Sequence, residues 1–129
     1  MKLLTPPIKD CRYIHRKLKQ FYRESLENDR NTTPNLTEFN RALRRFCYFF
    51  NLGIPKITWY KELNHDSQEC WGLCDEDGSL SLITPSNFDG GEYCWLRTAY
   101  HELGHYVLWS KAEKKATTFA ERMMNKWAK

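Results

Sequence analysis

The chain has 129 residues, is 41% hydrophobic and 28% charged, and carries a formal net charge of +4. That suits one domain with one modest core, and it excludes both a disordered polyelectrolyte and the strongly basic composition of a dedicated nucleic-acid binder. No run approaches the roughly 20 apolar residues of a membrane span, and Met1 to Pro7, broken by Pro6 and Pro7, lacks the apolar stretch of a secretory signal.

The first helix is expected from Ile8 to about Glu27. Ile8, Cys11, Ile14, Leu18, Phe21 and Ser25 recur at three- and four-residue steps between Arg and Lys. Pro6 and Pro7 suit a helix start, and the polar, turn-rich stretch Asn28 to Pro34 ends it. A second helix follows, with Asn35 as cap, Glu38 reaching back, and Phe39, Leu43, Phe46, Cys47 and Phe50 as its apolar stripe. Asn51 to Gly53 and Pro55 end it. Arg41, Arg44 and Arg45 fall on its other face, read first as a solvated face and second as a contact for nucleic acid or an acidic partner.

The middle of the chain changes period. Ile57 to Tyr60 is β-branched and aromatic, as strands are. Cys70 to Leu73 and Ser79 to Ile83 flank Asp75-Glu76-Asp77-Gly78, which reads as a hairpin loop and does not match the spaced oxygen ligands of an EF-hand. Pro85 to Gly91 reads as a loop, and two helices close the chain, about Glu92 to Trp109 and Ala112 to Trp127. The expected class is α+β: one domain over 1–129, with an N-terminal helical part (1–54) and a part (55–129) in which a small antiparallel or mixed sheet packs on the third helix.

The five cysteines, Cys11, Cys47, Cys70, Cys74 and Cys94, are odd in number and accompany no signal peptide, which points to reduced thiols and a cytoplasmic protein. Cys70 and Cys74 have no second CxxC-type pair and are read as ordinary thiols.

Tyr100-His101-Glu102-Leu103-Gly104-His105-Tyr106 satisfies H-E-x-x-H. Four residues advance a helix by about 400° and about 6 Å, so two imidazoles at that spacing project from nearly one side and can converge on one ion. Glu102, beside the first of them, can reach a water at that ion without binding the ion itself. Trp95, Ala99, Leu103 and Val107, broadened by Leu96 and Leu108, supply the apolar helix face the motif needs. Gly104 costs that helix about 1 kcal/mol relative to Ala, and a strand or substrate approaching closely would explain it. A catalytic zinc takes three protein ligands and one open position. The candidates for the third are Glu113, Glu121, His65, His15 and nearby cysteines, of which Glu113 is chosen. It requires the chain to reverse near Ser110 to Ala112, because a straight helix would carry Glu113 about 12 Å beyond His105. Ser110 and Glu113 also form a capping-box pattern, an alternative reason for the carboxylate, and Glu121 is the other alternative ligand.

H-E-L-G-H-Y followed by E-x-x-A-x-x-F-A (Glu113 to Ala120) resembles the gluzincin-type zinc metallopeptidases, most closely the ImmA/IrrE-type family, over about Trp71 to Met124. The HtpX-type membrane proteases share both motifs but have membrane spans. The resemblance implies a zincin-like fold with Zn2+ on His101, His105 and Glu113, and Glu102 as catalytic base. It also implies a protein or peptide substrate, in such families often a regulatory protein, that adds as a strand to the sheet near Ser79 to Ile83. Where the family has Asp or Asn after the alanine of its second motif, this chain has Thr117. SprT-like proteases, which act on DNA-bound proteins, also carry H-E-x-x-H but use a third histidine downstream, and no histidine follows His105. The reading is thus a zinc-dependent peptidase. The alternatives are a non-catalytic zinc-containing binding module for a protein or nucleic-acid partner and a zinc amidase with a non-peptide substrate. Trp59, Tyr60, Trp71, Tyr93 and Trp109 are available to a groove, though core is the commoner fate of such residues.

Overall fold

Pro7 sits at the start of the first helix with φ −55°, and its carbonyl accepts from the Cys11 amide at 2.9 Å. The computed structural model, which describes residues 5–27, 35–65, 68–108 and 113–128, runs from there as α1 (Ile8–Leu26), α2 (Thr37–Phe50), β1 (Ile57–Tyr60), β2 (Leu63–His65), β3 (Gln68–Cys70), β4 (Gly72–Cys74), β5 (Leu80–Ile83), a 3-10 turn (Pro85–Asn87), α3 (Gly91–Leu108) and α4 (Glu113–Ala128). The class is α+β, as the period change along the chain implies. No helix among the described residues is long and apolar enough to cross a membrane.

Both N-terminal helices bury the stripes their sequences predict. Cys11, Ile14, Leu18, Phe21 and Ser25 of α1 are buried, joined by His15 and Tyr22, while Ile8 is 40% exposed. The start of α2 departs from the expected capping box. Asn35 Oδ1 accepts from the Thr37 amide at 3.0 Å and the Thr37 hydroxyl at 2.7 Å. Glu38 does not reach back, because its carboxylate is drawn to Lys17 of α1 at 2.9 Å and Arg41 at 2.6 Å. A charge-assisted pair across two helices outweighs one cap bond. The far end follows the expectation. Asn51 takes a left-handed conformation, φ 54°, and the Leu52 and Asn51 amides return to the Cys47 and Tyr48 carbonyls, a Schellman end.

The sheet is mixed, in the order β1-β5-β4. β1 runs parallel to β5 with Ile57 opposite Leu80, and β4 runs antiparallel to it with Cys74 opposite Leu80. The hairpin loop lies at the predicted acidic stretch, with Gly78 at φ 90° and its amide bonded to the Asp75 carbonyl. Two corrections apply. The strand expected over Cys70 to Leu73 is broken at Trp71: Cys70 closes β3, which pairs with β2 in a separate antiparallel hairpin, and β4 begins at Gly72. More consequentially, β5 is the central strand, hydrogen-bonded on both sides, so a substrate cannot add at Ser79 to Ile83; the edges are β1 and β4.

One core serves all these elements. Leu80, Leu82 and Ile83 of β5 belong to it, and Trp95 of α3 donates its indole N–H to the Ile83 carbonyl at 2.9 Å. Aromatic rings join the two parts of the chain: Phe21 lies 5.7 Å from Trp95 and 5.3 Å from Trp59, and Phe46 lies edge-on to Phe119 at 5.9 Å. Trp59, half-buried, therefore packs against the core. Tyr60, Trp71 and Tyr93 are exposed, Trp71 resting edge-on against Phe88. Trp109 lies outside the described residues.

Candidate metal centre

Arg97, His101 and His105 follow one another at steps of four along α3, so they share a face. Helix α4 returns antiparallel against that face and presents Glu113, Thr117 and Glu121, also at steps of four. The two rows meet as rungs. Glu113 places Oε2 2.7 Å from His101 Nε2 and Oε1 3.3 Å from His105 Nε2. Thr117 Oγ1 lies 3.4 Å from His101 Nδ1, and Glu121 takes an ion pair with Arg97 at 3.3 Å. The reversal that Glu113 needed has therefore taken place. Ser110, the proposed cap, lies with the rest of 109–112 outside the described residues.

Close approach of the two helices has a visible cause. Ala116 and Ala120 are fully buried, and Gly104 faces Phe119 so tightly that an added β-carbon would meet Phe119 Cδ1 at 3.0 Å and Cβ at 3.2 Å. The neighbour that requires Gly104 is thus α4, not a strand or substrate.

The two imidazoles stand with ring centroids 4.9 Å apart at 76°, and the ligand atoms of His101, His105 and Glu113 all lie within 4.8 Å of one another. Around a tetrahedral zinc with ligands at 2.0–2.3 Å, donor atoms lie about 3.3–3.8 Å apart. Two imidazole nitrogens and a carboxylate, drawn from two helices to this separation, fit such an ion with small side-chain adjustments. Burial lowers the His101 pKa, with Glu113 opposing the effect, so the ring favours the neutral form that a metal requires. Thr117 suits both situations of that ring, since its hydroxyl can donate to Nδ1 or accept from an Nδ1–H.

Other sequence candidates sit elsewhere. His15 is buried and hydrogen-bonded through Nδ1 to the Tyr100 hydroxyl at 3.0 Å, on the core side of α3. Glu121 is bound to Arg97. The side chains of His65 and Cys70 lie outside the described residues. Cys11, Cys47, Cys74 and Cys94 are in no disulfide, and burial together with the nearby Glu102 charge pushes Cys74 up to about 11, which leaves it protonated.

Glu102 stands apart from the three converging residues. It is buried at 6% exposure, and desolvation pushes its carboxyl up to about 7, with His105 pulling down and Glu113 pushing further up. Gly72 of the edge strand β4 is its wall: a β-carbon there would lie 2.9 Å from Glu102 Cγ and 3.3 Å from Oε2. The sequence points to His101, Glu102, His105 and Glu113, and its second motif singles out Thr117 as a supporting hydrogen-bond position, but neither motif draws attention to Arg97 or Gly72. The matched four-residue spacing of 97-101-105 and 113-117-121 is the signal that could have found the rungs. Nothing in the sequence pairs Gly72 with Glu102. No family model, curated protein or solved structure matches the chain.

Proposed function

We propose that this chain is a zinc-dependent peptidase with a minimal zincin-like domain of the ImmA/IrrE type, in which His101, His105 and Glu113 hold the metal and Glu102 is the general base. The observation that carries the reading is the convergence of three donor side chains from two helices, with the buried Glu102 carboxyl beside that set and not part of it.

When bound, zinc supplies Lewis acidity, lowering the pKa of a water and polarising the scissile carbonyl. The chain's residues do the rest. Glu102, titrating near neutrality because it is desolvated, accepts a proton as water attacks and delivers it to the leaving amine. Thr117 holds the His101 ring in orientation through Nδ1. The free edge of β4 offers backbone hydrogen bonds to an extended substrate beside Glu102, the mode in which a peptide adds to a sheet. The substrate is a protein or peptide, with a regulatory protein as the favoured kind. The buried thiols Cys11 and Cys47, neither of them in a disulfide, suit a cytoplasmic setting.

Metal content and cleavage of a peptide library, measured on wild type and Glu102→Gln, test this reading. Equal zinc in both, with turnover reduced about 10²- to 10⁴-fold in the variant, is the expected result. Zinc in both without cleavage by either would instead favour the binding module, and absence of zinc from both would remove the metal site.

A further inference from the structure

Charge is divided unevenly along the chain. Residues 1–54 hold eleven Lys and Arg against five Asp and Glu, a net +6, whereas residues 55–129 hold nine against eleven, a net −2. The excess lies on the two N-terminal helices. Along α1, Lys9, Arg12, Arg16 and Arg23 are all exposed, opposite the buried stripe, and span about 21 Å of helix. Exposed Arg41, Arg44 and Arg45 of α2 extend the same surface.

The two basic rows meet at Tyr13. Arg45 lies over its ring at 4.4 Å, and Arg16 and Lys17 approach it at 5.7 Å each. Two carboxylates sit in this seam, Asp10 on Arg45 and Glu38 on Lys17 and Arg41. They fix the inner cations, and Glu92 of α3 takes Arg23 at the far end of α1 at 3.1 Å; Arg12 and Arg44, between them, make no ion pair among the described residues. Tyr48, one turn beyond Arg44, is 84% exposed.

We propose that this α1–α2 face is a docking surface for the phosphate backbone of a nucleic acid. The cations are mostly arginine, whose planar fork matches phosphate oxygens two at a time. An exposed tyrosine beside them offers a stacking surface. A lipid bilayer fits less well, because an interfacial helix inserts its apolar face and the apolar stripes of both helices are already consumed by the core. The buried side of α1 rests on α3, where His15 meets Tyr100. The basic row therefore points away from the metal centre, and a bound polyanion leaves the cleft open. This surface stands independently of the zinc reading.

The test is fluorescence anisotropy of a labelled duplex of about 20 base pairs, titrated across salt concentrations for four metal-free proteins. These are wild type, R12A/R16A/R44A, R12K/R16K/R44K, and a control with the same charge removed from the other part, K56A/K114A/K115A. Circular dichroism checks that each is folded. Wild type should bind with a steep salt dependence. The arginine variant should lose about tenfold or more in affinity, and its log–log salt slope should fall by about three. The control should stay within about twofold. R12K/R16K/R44K should keep most of the slope, since the charge remains. No binding by wild type at about 50 mM salt, equal weakening in both alanine variants, or binding to phosphatidylserine vesicles in place of the duplex would each overturn the proposal.

Discussion

The hydroxyl of Thr117 reaches His101 from the side away from Glu113, Oγ1 to Nδ1 at 3.4 Å, so that one imidazole is gripped at both nitrogens by residues four apart on α4. A partner on the non-ligating nitrogen fixes ring orientation, and its loss in comparable sites costs about 10- to 100-fold in metal affinity. Thr117→Val keeps the shape and removes the hydroxyl. Chelator competition should show zinc binding weakened by about that factor, with Thr117→Asn recovering most of it. Unchanged affinity in the valine variant would leave Thr117 as packing alone.

Gly72→Ala should injure turnover without emptying the site. The new methyl group would press on Glu102 Cγ at 2.9 Å and displace the carboxyl, while His101, His105 and Glu113 are untouched. A displacement of this kind in the proposed general base costs about 10²-fold. Zinc stoichiometry by mass spectrometry should stay at the wild-type value while kcat falls, and equal kcat would show that Glu102 tolerates a closer wall.

Gly104→Ala sets two effects against each other. Helix propensity favours alanine by about 1 kcal/mol. Contacts of 3.0–3.3 Å with Phe119, one of them with its Cβ, oppose it, because the ring cannot rotate away from its own attachment point. Overpacking costs about 1–3 kcal/mol, so the expected net is a loss of about 1 kcal/mol, read as a lowered denaturant midpoint. A midpoint raised by the substitution would mean that α4 yields more readily than its burial suggests.

Two buried groups should tilt the stability of the metal-free protein in opposite directions. His15 falls from 6.5 to about 4, by burial first and the Lys19 charge second, so the unfolded chain binds the extra proton between those values and stability rises with pH there. Glu102 rises from 4.5 to about 7, so the folded chain holds the extra proton and stability falls as pH rises through that interval. Each has a limiting slope of about 1.4 kcal/mol per pH unit, and they oppose each other between about 4.5 and 6.5. Denaturant midpoints in the presence of chelator should therefore fall with rising pH in His15→Gln relative to wild type, and rise in Glu102→Gln. Parallel profiles for all three proteins would refute the assignment.

The helices were legible because their signals are local: the three-and-four spacing of Cys11, Ile14 and Leu18, or of Phe39, Leu43 and Phe46, needs no knowledge of what packs against them. The H-E-x-x-H spacing is local in the same sense. What escaped notice depends on pairing between distant segments. Nothing near Glu38 says that Lys17 will draw it from its cap. Nothing near Leu80 says that Ile57 will pair with it and enclose β5 on its second side. Gly72 reads as a weak strand residue until Glu102 is set beside it. The Glu113 reading needed only the direction of the chain after α3, which the small residues Gly104, Ala116 and Ala120 encode as tolerance for a close helix pair.

Phe21 against Trp95, Phe46 against Phe119, and the Tyr106 hydroxyl on the Gly53 carbonyl all tie the stretch before residue 54 to the stretch after it. The change of charge at that point is consequently not a place to cut. A fragment beginning at β1 would expose Trp95 and Phe119 to water and strip the support from behind the very helices that bring the imidazoles and Glu113 together, so a minimal version of this protein cannot be made by trimming its front half away.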